Sequence, residues 1–552
     1  MKGFQMRAAP RLMIAINRFA RDEDGALIVF ALIFLTLMIW MGGFALDVMR
    51  YEATRTNLQN TLDRATLAAA SLNQRLDPTA VVNDYFAKAG MTDQLNSVTV
   101  SPAAGSGIAN FRQVTATGIA DSKPLFLHLL GIDSLDAIAG SVAEQHISNV
   151  EIALVLDISG SMSGAKIANL KVAAAEFVQN VLANDSQHRI SIAIVPYNAQ
   201  VNLGPVLRAK YNAVNQHGVA DVNCVELPLT SFNALSLSRA LPLPMMAYAD
   251  IAYGTDTTNG YVSPLNANYA VPNYSSAFCK PTTINIVRLP SQDIPTLQAQ
   301  INGLQAGGNT SIMMGMKWGT VMLDPSTRPI YSELISSHAM ADTLEGRPFD
   351  YADVADGTAM KVIVLMTDGE HVAHNRVNDD YKTGASPIYR SNGDGQYSIF
   401  HAARAGANKF WVPHLALWQA TAWNSGAGFA QQDWKDIWAN LKLSYVAWQF
   451  YGRALGTDGP SRTTAYNNAF NTMQSNYASV ASMNAQLQQT CGLARAQGVI
   501  VYGIAFEAPA NGQNQISQCA GSGSRYFATY GPAIQTVFRT IASNITQLRL
   551  TQ

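Results

Sequence analysis

Hydrophobic residues fall along this chain in three successive patterns. Between Ala26 and Leu46 the run ALIVFALIFLTLMIWMGGFAL carries no charge and is apolar on every face. Its 21 residues, at about 1.5 Å each, reach roughly 30 Å, the thickness of a bilayer core, and predict a membrane-spanning helix over 26–46. The pattern then narrows to a stripe, with Leu58, Leu62, Ala65, Ala69 and Leu72 spaced by 4, 3, 4 and 3. That is the seam of an amphipathic helix, packed either on another helix or on its own domain. No proline separates span from seam, so one unbroken helix is expected. Further on, 97–100, 113–120 and 135–144 alternate as strands, with PLFLHLLG (124–131) as a short helix between them. Residues 47–149 thus predict an extended helix and a small α+β module, to which no site is assigned.

From residue 150 the strands become continuously apolar: VEIALVLDISGSM (150–162), RISIAIVPYNAQV (189–201), KVIVLMTDGE (361–370) and GVIVYGIAF (498–506). Amphipathic helices are expected at 166–184, 483–497 and 532–548. Apolar strands alternating with such helices indicate an α/β fold, a doubly wound, mostly parallel sheet covered on both faces. Two stretches interrupt it and read as long insertions in a domain spanning 150–552, at about 202–288 and 373–480. The second holds Trp411, Trp418, Trp423, Trp434, Trp438 and Trp448, six of eight tryptophans. Their reading is the core of a subdomain, with an interface as the alternative.

Composition adds constraints. Only 14% of the residues are charged and the net charge is −1, so a packed core is expected and no basic stripe points to nucleic acid. Lys2, Arg7, Arg11, Arg18 and Arg21 precede the apolar run, which by the positive-inside rule leaves residues 1–25 as a cytoplasmic basic tail and everything after Asp47 outside. A cleavable signal peptide would have a core of about 7–15 residues, shorter than this one. The four cysteines, Cys224, Cys279, Cys491 and Cys519, allow three pairings. Local pairing favours Cys224–Cys279 and Cys491–Cys519, with four buried thiols as the alternative.

The candidate chemistry lies where parallel sheets gather their ligands, at the carboxyl ends of strands. Asp157, Ser159 and Ser161 form Asp-x-Ser-x-Ser after the first apolar strand, Asp368 ends a later one, and Thr310 lies in a glycine-rich loop entering a helix. Hydroxyls and carboxylates are oxygen donors that suit magnesium or manganese rather than zinc. Two carboxylates do not saturate such an ion, which leaves it able to take a carboxylate from a protein partner. Ordinary strand-end caps and turns are the bland alternative. His371 and His374 follow Asp368 without the HExxH spacing of zinc peptidases and read as loop residues, and SNGDG (391–395) reads as a turn.

Two resemblances follow from these residues. The basic N-terminus, Gly25-Ala26 opening the apolar run, Asp47 and LQNTLDRATLAAA (58–70) resemble the N-terminal region of TadE/TadG-like proteins of Tad/Flp pilus systems. Related prepilins carry glutamate at the fifth position after the processing glycine; here it is Phe30, so the segment is expected to stay intact. The Asp-x-Ser-x-Ser motif, downstream threonine and final aspartate look like the metal-ion-dependent adhesion site (MIDAS) of von Willebrand factor A (vWA) domains, which have a Rossmann-like sheet. That resemblance implies metal contacts by Ser159, Ser161 and Thr310 directly, the last in one state only, and by Asp157 and Asp368 directly or through water. Together the two imply a TadG-like, single-pass inner-membrane protein with its bulk periplasmic or on the cell surface. Such a protein would act in pilus assembly or adhesion, bind other Tad components, and catalyse nothing. Alternatives are a vWA module of another envelope complex or sensor, and a metal hydrolase using Glu370 or His371 as base.

Overall fold

A computed structural model describes residues 24–71, 76–101, 111–146, 148–183, 185, 187–247 and 278–551. The five basic residues ahead of the apolar run, the seam residue Leu72 and part of the first insertion lie outside these. The chain divides into two compact units, 1–147 and 148–552.

In the first unit a single helix, Asp24–Ala70, runs through both span and seam, as the lack of proline predicts. Its N-terminal half, long and apolar enough to cross a membrane, leaves large side chains exposed on all sides, among them Leu27, Ile33, Phe34 and Met41. The seam packs within its own unit: Leu58, Leu62, Ala65 and Ala69 are buried with Val82, Phe86, Val114 and Ala137. Phe86 belongs to a helix the periodicity did not reveal, Pro78–Lys88, whose N-terminus is capped by the Asp77 side chain. The three expected strands form an antiparallel sheet in chain order, Leu95–Ser101, Phe111–Ser122 and Leu135–His146. The expected helix at 124–131 shrinks to one 3-10 turn, Leu127–Leu130. Asp47 anchors that turn, its buried carboxylate accepting the N–H groups of Leu125 (2.7 Å), Phe126 (2.8 Å) and Leu127 (2.8 Å). Burial raises the Asp47 pKa, but these donors and Arg50 outweigh it and hold the carboxyl below its usual range.

The second unit is built on a six-stranded sheet in the order Tyr526–Thr529, Ile500–Phe506, Ala359–Thr367, Asn149–Asp157, Ile190–Tyr197, Arg288–Ser291. All neighbours are parallel except the last pair. The α/β class expected from the alternation is therefore present. Both edge strands, Arg288–Ser291 and Tyr526–Thr529, are additions to the four read from the sequence. Alternate residues of the central strand feed opposite layers. Ile152, Leu154 and Leu156 pack with Phe177 and Phe538 from helices Ala165–Leu182 and Ile534–Thr551. Ala153 and Val155 pack with Met314, Trp318 and Leu487 from helices Ile312–Leu323 and Val480–Ala496. Helix Ile312–Leu323 is buried along its whole length. It approaches the sheet closely because a Cβ on Gly315 would sit 2.4 Å from the Tyr197 ring, and one on Gly319 would sit 2.6 Å from Val155.

The insertions close on themselves and on each other. Cys224–Cys279 ties the first, and Cys491–Cys519 joins helices Val480–Ala496 and Ala510–Ala520; both local pairings are present. The second insertion opens and closes through an antiparallel pair, Asn375–Val377 with Gln474–Asn476. Between these lies a five-stranded sheet, with Trp411, Trp434 and Trp438 buried and Trp418 and Trp448 packed against them, as a subdomain core requires. SNGDG turns between two of its strands, where Asp394 accepts from Trp423 Nε1 at 2.8 Å. Arg376 and Lys382 of the second insertion both pair with the buried Glu226 of the first.

A buried ion pair pins the central register. Glu151 and Lys361 are direct partners across neighbouring strands, both side chains buried, and Arg347 stands 3.7 Å from the same carboxylate. Lys361→Met leaves Glu151 buried with only the more distant Arg347 and the Phe349 N–H, which donates to it at 3.1 Å. It is expected to destabilise the chain by about 3 kcal/mol, read as a lower denaturant midpoint at unchanged slope.

Candidate functional site

The site begins with the two central strands. Asn149–Asp157 and Ala359–Thr367 pair in parallel as far as Leu156 and Met366, so Asp157 and Asp368 emerge side by side at their carboxyl ends. The chain leaves the central strand toward Ile190–Tyr197 on one side and lies against Ala359–Thr367 on the other, a topological switch point where sheets of this kind open a crevice. Thr367 Oγ1 donates to Asp157 Oδ2 at 2.6 Å, and the Ser159 N–H donates to Oδ1 at 2.8 Å.

Four of the five expected residues are joined by direct hydrogen bonds. Ser161 Oγ donates to Asp368 Oδ1 at 2.7 Å, Ser159 Oγ lies 3.5 Å from that oxygen, and the two serine hydroxyls are 3.1 Å apart. Thr310 comes alongside by its backbone. It accepts the Val372 N–H at 3.0 Å, and a Cβ on Gly369 would meet its hydroxyl at 3.3 Å. The glycine-rich loop is held against the motif loop: the Gly160 N–H donates to Gly308 O at 2.8 Å, and Gly308 has a φ of +85°, which suits glycine. Asn198 Nδ2 donates to Gly307 O at 2.8 Å and fixes the loop from the next strand.

The electrostatics are unbalanced. Asp157 and Asp368 are both buried. Burial, and then the charge of Asp368, push the Asp157 carboxyl up to about 7, against the hydrogen bonds from Thr367 and Ser159. Among the described residues the cation paired with the cluster is Lys166, whose Nζ lies 2.8 Å from Asp368 Oδ2 and 3.8 Å from Glu507. The two oxygens of Asp368 are thus divided, Oδ2 to the lysine and Oδ1 to the serines.

This donor set fits a hard cation: three hydroxyls and two carboxylates, all oxygen, with a carboxylate pair whose charge a cation would relieve. Among the described residues no group of three or more His, Cys, Asp or Glu could hold a metal. Asp157, Ser159, Ser161, Thr310 and Asp368 could hold such an ion.

Lys166 and Thr367 escaped the sequence reading. Thr367 adjoins Asp368 and passes for the last residue of a strand. Lys166 sits in the first turn of helix Ala165–Leu182, where the helix dipole disfavours a cation; that misplacement was the available signal. The histidines are more than loop residues. His371 is buried, its Nε2 accepting the Met313 N–H at 2.9 Å and its Nδ1 lying 2.7 Å from Asn484 Oδ1. With both ring nitrogens engaged it braces the start of the helix after Thr310 and offers no free base. His374 stacks on Tyr477 at 5.3 Å and meets Phe278 edge-on at 5.2 Å.

Residues 25–72 match the family described as putative Flp pilus-assembly TadE/G-like. No curated protein gives a significant match. Among solved structures, the chain is similar to the vWF domain of the type V pili tip protein Mfa5 from Porphyromonas gingivalis, at 11% identity, over 74% of this chain and 97% of that one, with a TM-score of 0.30. It is also similar to the adhesive tip pilin GBS104 from Group B Streptococcus agalactiae, at 11% identity over 72% and 99% of the two chains, TM-score 0.29. For the pilus adhesin SpaC from Lactobacillus rhamnosus GG the identity is 11% and the TM-score 0.28; the match covers 82% of this chain and 34% of the adhesin.

Burial lowers the pKa of His371 and of His374 to about 4. Both stay neutral in the folded chain where the unfolded chain takes protons near 6.5. Their stabilisation is complete above about pH 6.5 and is lost as the pH falls toward 4, by about 3 kcal/mol each. Asp157, with its pKa raised, contributes a slope of opposite sign. Melting temperature measured from pH 7 to 4 should therefore fall less steeply in His371→Gln than in the parent.

Proposed function

We propose that this chain is a membrane-anchored component of a Tad/Flp pilus system, a TadG-like protein whose vWA domain binds a protein partner through a divalent cation. The observation that carries the reading is the convergence of Asp157, Ser159, Ser161 and Asp368 at the ends of two adjacent parallel strands. The match of residues 25–72 supplies the pilus context. The exposed apolar helix supports a single-pass anchor in the inner membrane. Two disulfides suit an oxidising compartment, and so a periplasmic or cell-surface location for the bulk of the chain.

Magnesium or manganese, when bound, supplies an electrophilic point that a carboxylate from the partner can satisfy. The residues of this chain prepare that point. Ser159, Ser161 and Asp368 Oδ1 face one another, while Thr367 and the Ser159 amide orient Asp157. Thr310 stands beside Gly369 on the loop that His371 and Asn198 brace from either side. Lys166 restrains Asp368 by its other oxygen. The role is binding, with no catalytic step.

Titration calorimetry of the full chain in detergent with magnesium and with manganese tests the site. Binding by the parent and its loss in Ser161→Ala and Asp157→Asn is the expected outcome. In chelator, Asp157→Asn should melt no lower than the parent, because it removes one of two crowded buried charges. At a hundredfold excess over the dissociation constant the cation should stabilise the parent by about 2.7 kcal/mol and this variant not at all. A folded parent that neither binds nor is stabilised by either cation would rule the metal-bridged reading out. Lys166→Met, which removes a competing positive charge, should bind the cation severalfold more tightly.

A further inference from the structure

The turn that hangs from Asp47 is apolar where water would favour polar residues. Leu125 is 56% exposed, Leu129 70%, Leu130 60% and Ile132 40%. These side chains do not stand apart from the apolar helix. The Phe126 ring lies on the helix backbone, where a Cβ on Gly43 would come within 2.3 Å of it. Leu130 shares one apolar pocket with Val29, Leu32, Ile33, Leu37 and Trp40. A second pocket joins it and Leu127 to Met41 and Phe44. Trp40 precedes Asp47 by seven residues, which along a helix is about 10 Å. The turn therefore folds back from Asp47 along the helix, into the stretch of sequence that spans the bilayer.

A segment at that depth must satisfy its own backbone, because lipid offers no hydrogen bonds. This one does. Asp47 takes the N–H groups of Leu125, Phe126 and Leu127. Those of Leu129, Gly131 and Ile132 go to Phe126, His128 and Leu127 carbonyls within the turn. Its one titratable side chain, His128, pairs with the residue that follows the turn, Nδ1 lying 2.7 Å from Asp133 Oδ1.

We propose that residues 124–132 form a re-entrant apolar turn that enters the outer leaflet beside the helix, a second contact with lipid that sets the depth and tilt of the anchor. The occupant of this surface is the acyl region of the bilayer. Whatever covers the exposed helix between Leu27 and Phe44 also reaches Leu130, which continues the same surface, with the exposed Leu129 next to it in the chain. The inference rests on the membrane-anchored reading of 26–46.

The test is spin-label accessibility in the full chain reconstituted in phosphatidylethanolamine–phosphatidylglycerol vesicles. All four native cysteines are in disulfides, so Leu129→Cys, Leu130→Cys, Leu32→Cys and Asn83→Cys each give one free thiol at an exposed position. Labels at 129 and 130 should be relaxed by oxygen and protected from a water-soluble nickel chelate, as at 32, with an oxygen-to-nickel ratio severalfold above that at 83. Nickel access at 129 and 130 with protection at 32 would overturn the turn's insertion and leave the anchor standing. Nickel access at 32 as well would overturn both. Immobile labels at 129 and 130 shielded from both reagents would place a protein there instead of lipid, and would also overturn the proposal.

Discussion

The register between Asn149–Asp157 and Ala359–Thr367 is the constraint from which the rest of the second unit follows. It is pinned at both ends by side chains of opposite character. At one end Glu151 and Lys361 face each other in a buried ion pair; at the other Thr367 donates to Asp157. A slip of one residue would turn every apolar side chain of the strand to the wrong layer, bury Glu151 against a hydrocarbon, and carry Asp368 away from the serines. An ion pair so deeply buried adds little net stability beside an apolar alternative, but its loss is costly. Here its effect is to exclude other registers, and the site inherits its alignment from that exclusion.

What the sequence disclosed and what it hid divide along a physical line. Continuous apolar runs such as 150–156, and motifs held within a few residues such as Asp157-x-Ser159-x-Ser161, are local patterns, and the structure places them where the pattern implies. The seam at Leu58, Leu62, Ala65 and Ala69 showed its buried face but not its partner, because periodicity reports that a face is covered without naming the cover. Contacts between distant segments were not legible. Asn484, which holds His371, lies 113 residues away from it. Lys166 reads as a surface charge until Asp368, 202 residues on, is brought to it. Arg288–Ser291 has four residues, one of them proline, too few to alternate. The apolar run at 124–131 resembled a helix because apolarity is common to core helices and to a turn that lies on one.

The insertions show how a sheet can carry more chain than its own layers need. Each leaves the main sheet and returns to it, the second through the pair Asn375–Val377 and Gln474–Asn476. They are joined to each other by Glu226 with Arg376 and Lys382, and by the Tyr477 hydroxyl donating to Leu227 O. Charge and aromatic contacts at this junction, Phe278 on His374 and His374 on Tyr477, adjoin the loop that leads from Asp368. The surroundings of the site are therefore built from segments outside the strands that set its geometry.

The hydrogen bond from Ser161 to Asp368 spans 207 residues of sequence. A chain is synthesised from its N-terminus, so the serines exist long before the aspartate that completes their cluster. Until Ala359–Thr367 has been made and has docked beside the central strand, the serines lack Asp368 and Asp157 lacks the Thr367 hydroxyl. The site is in this sense a record of progress along the chain: no chain that stops short of Asp368 can present it.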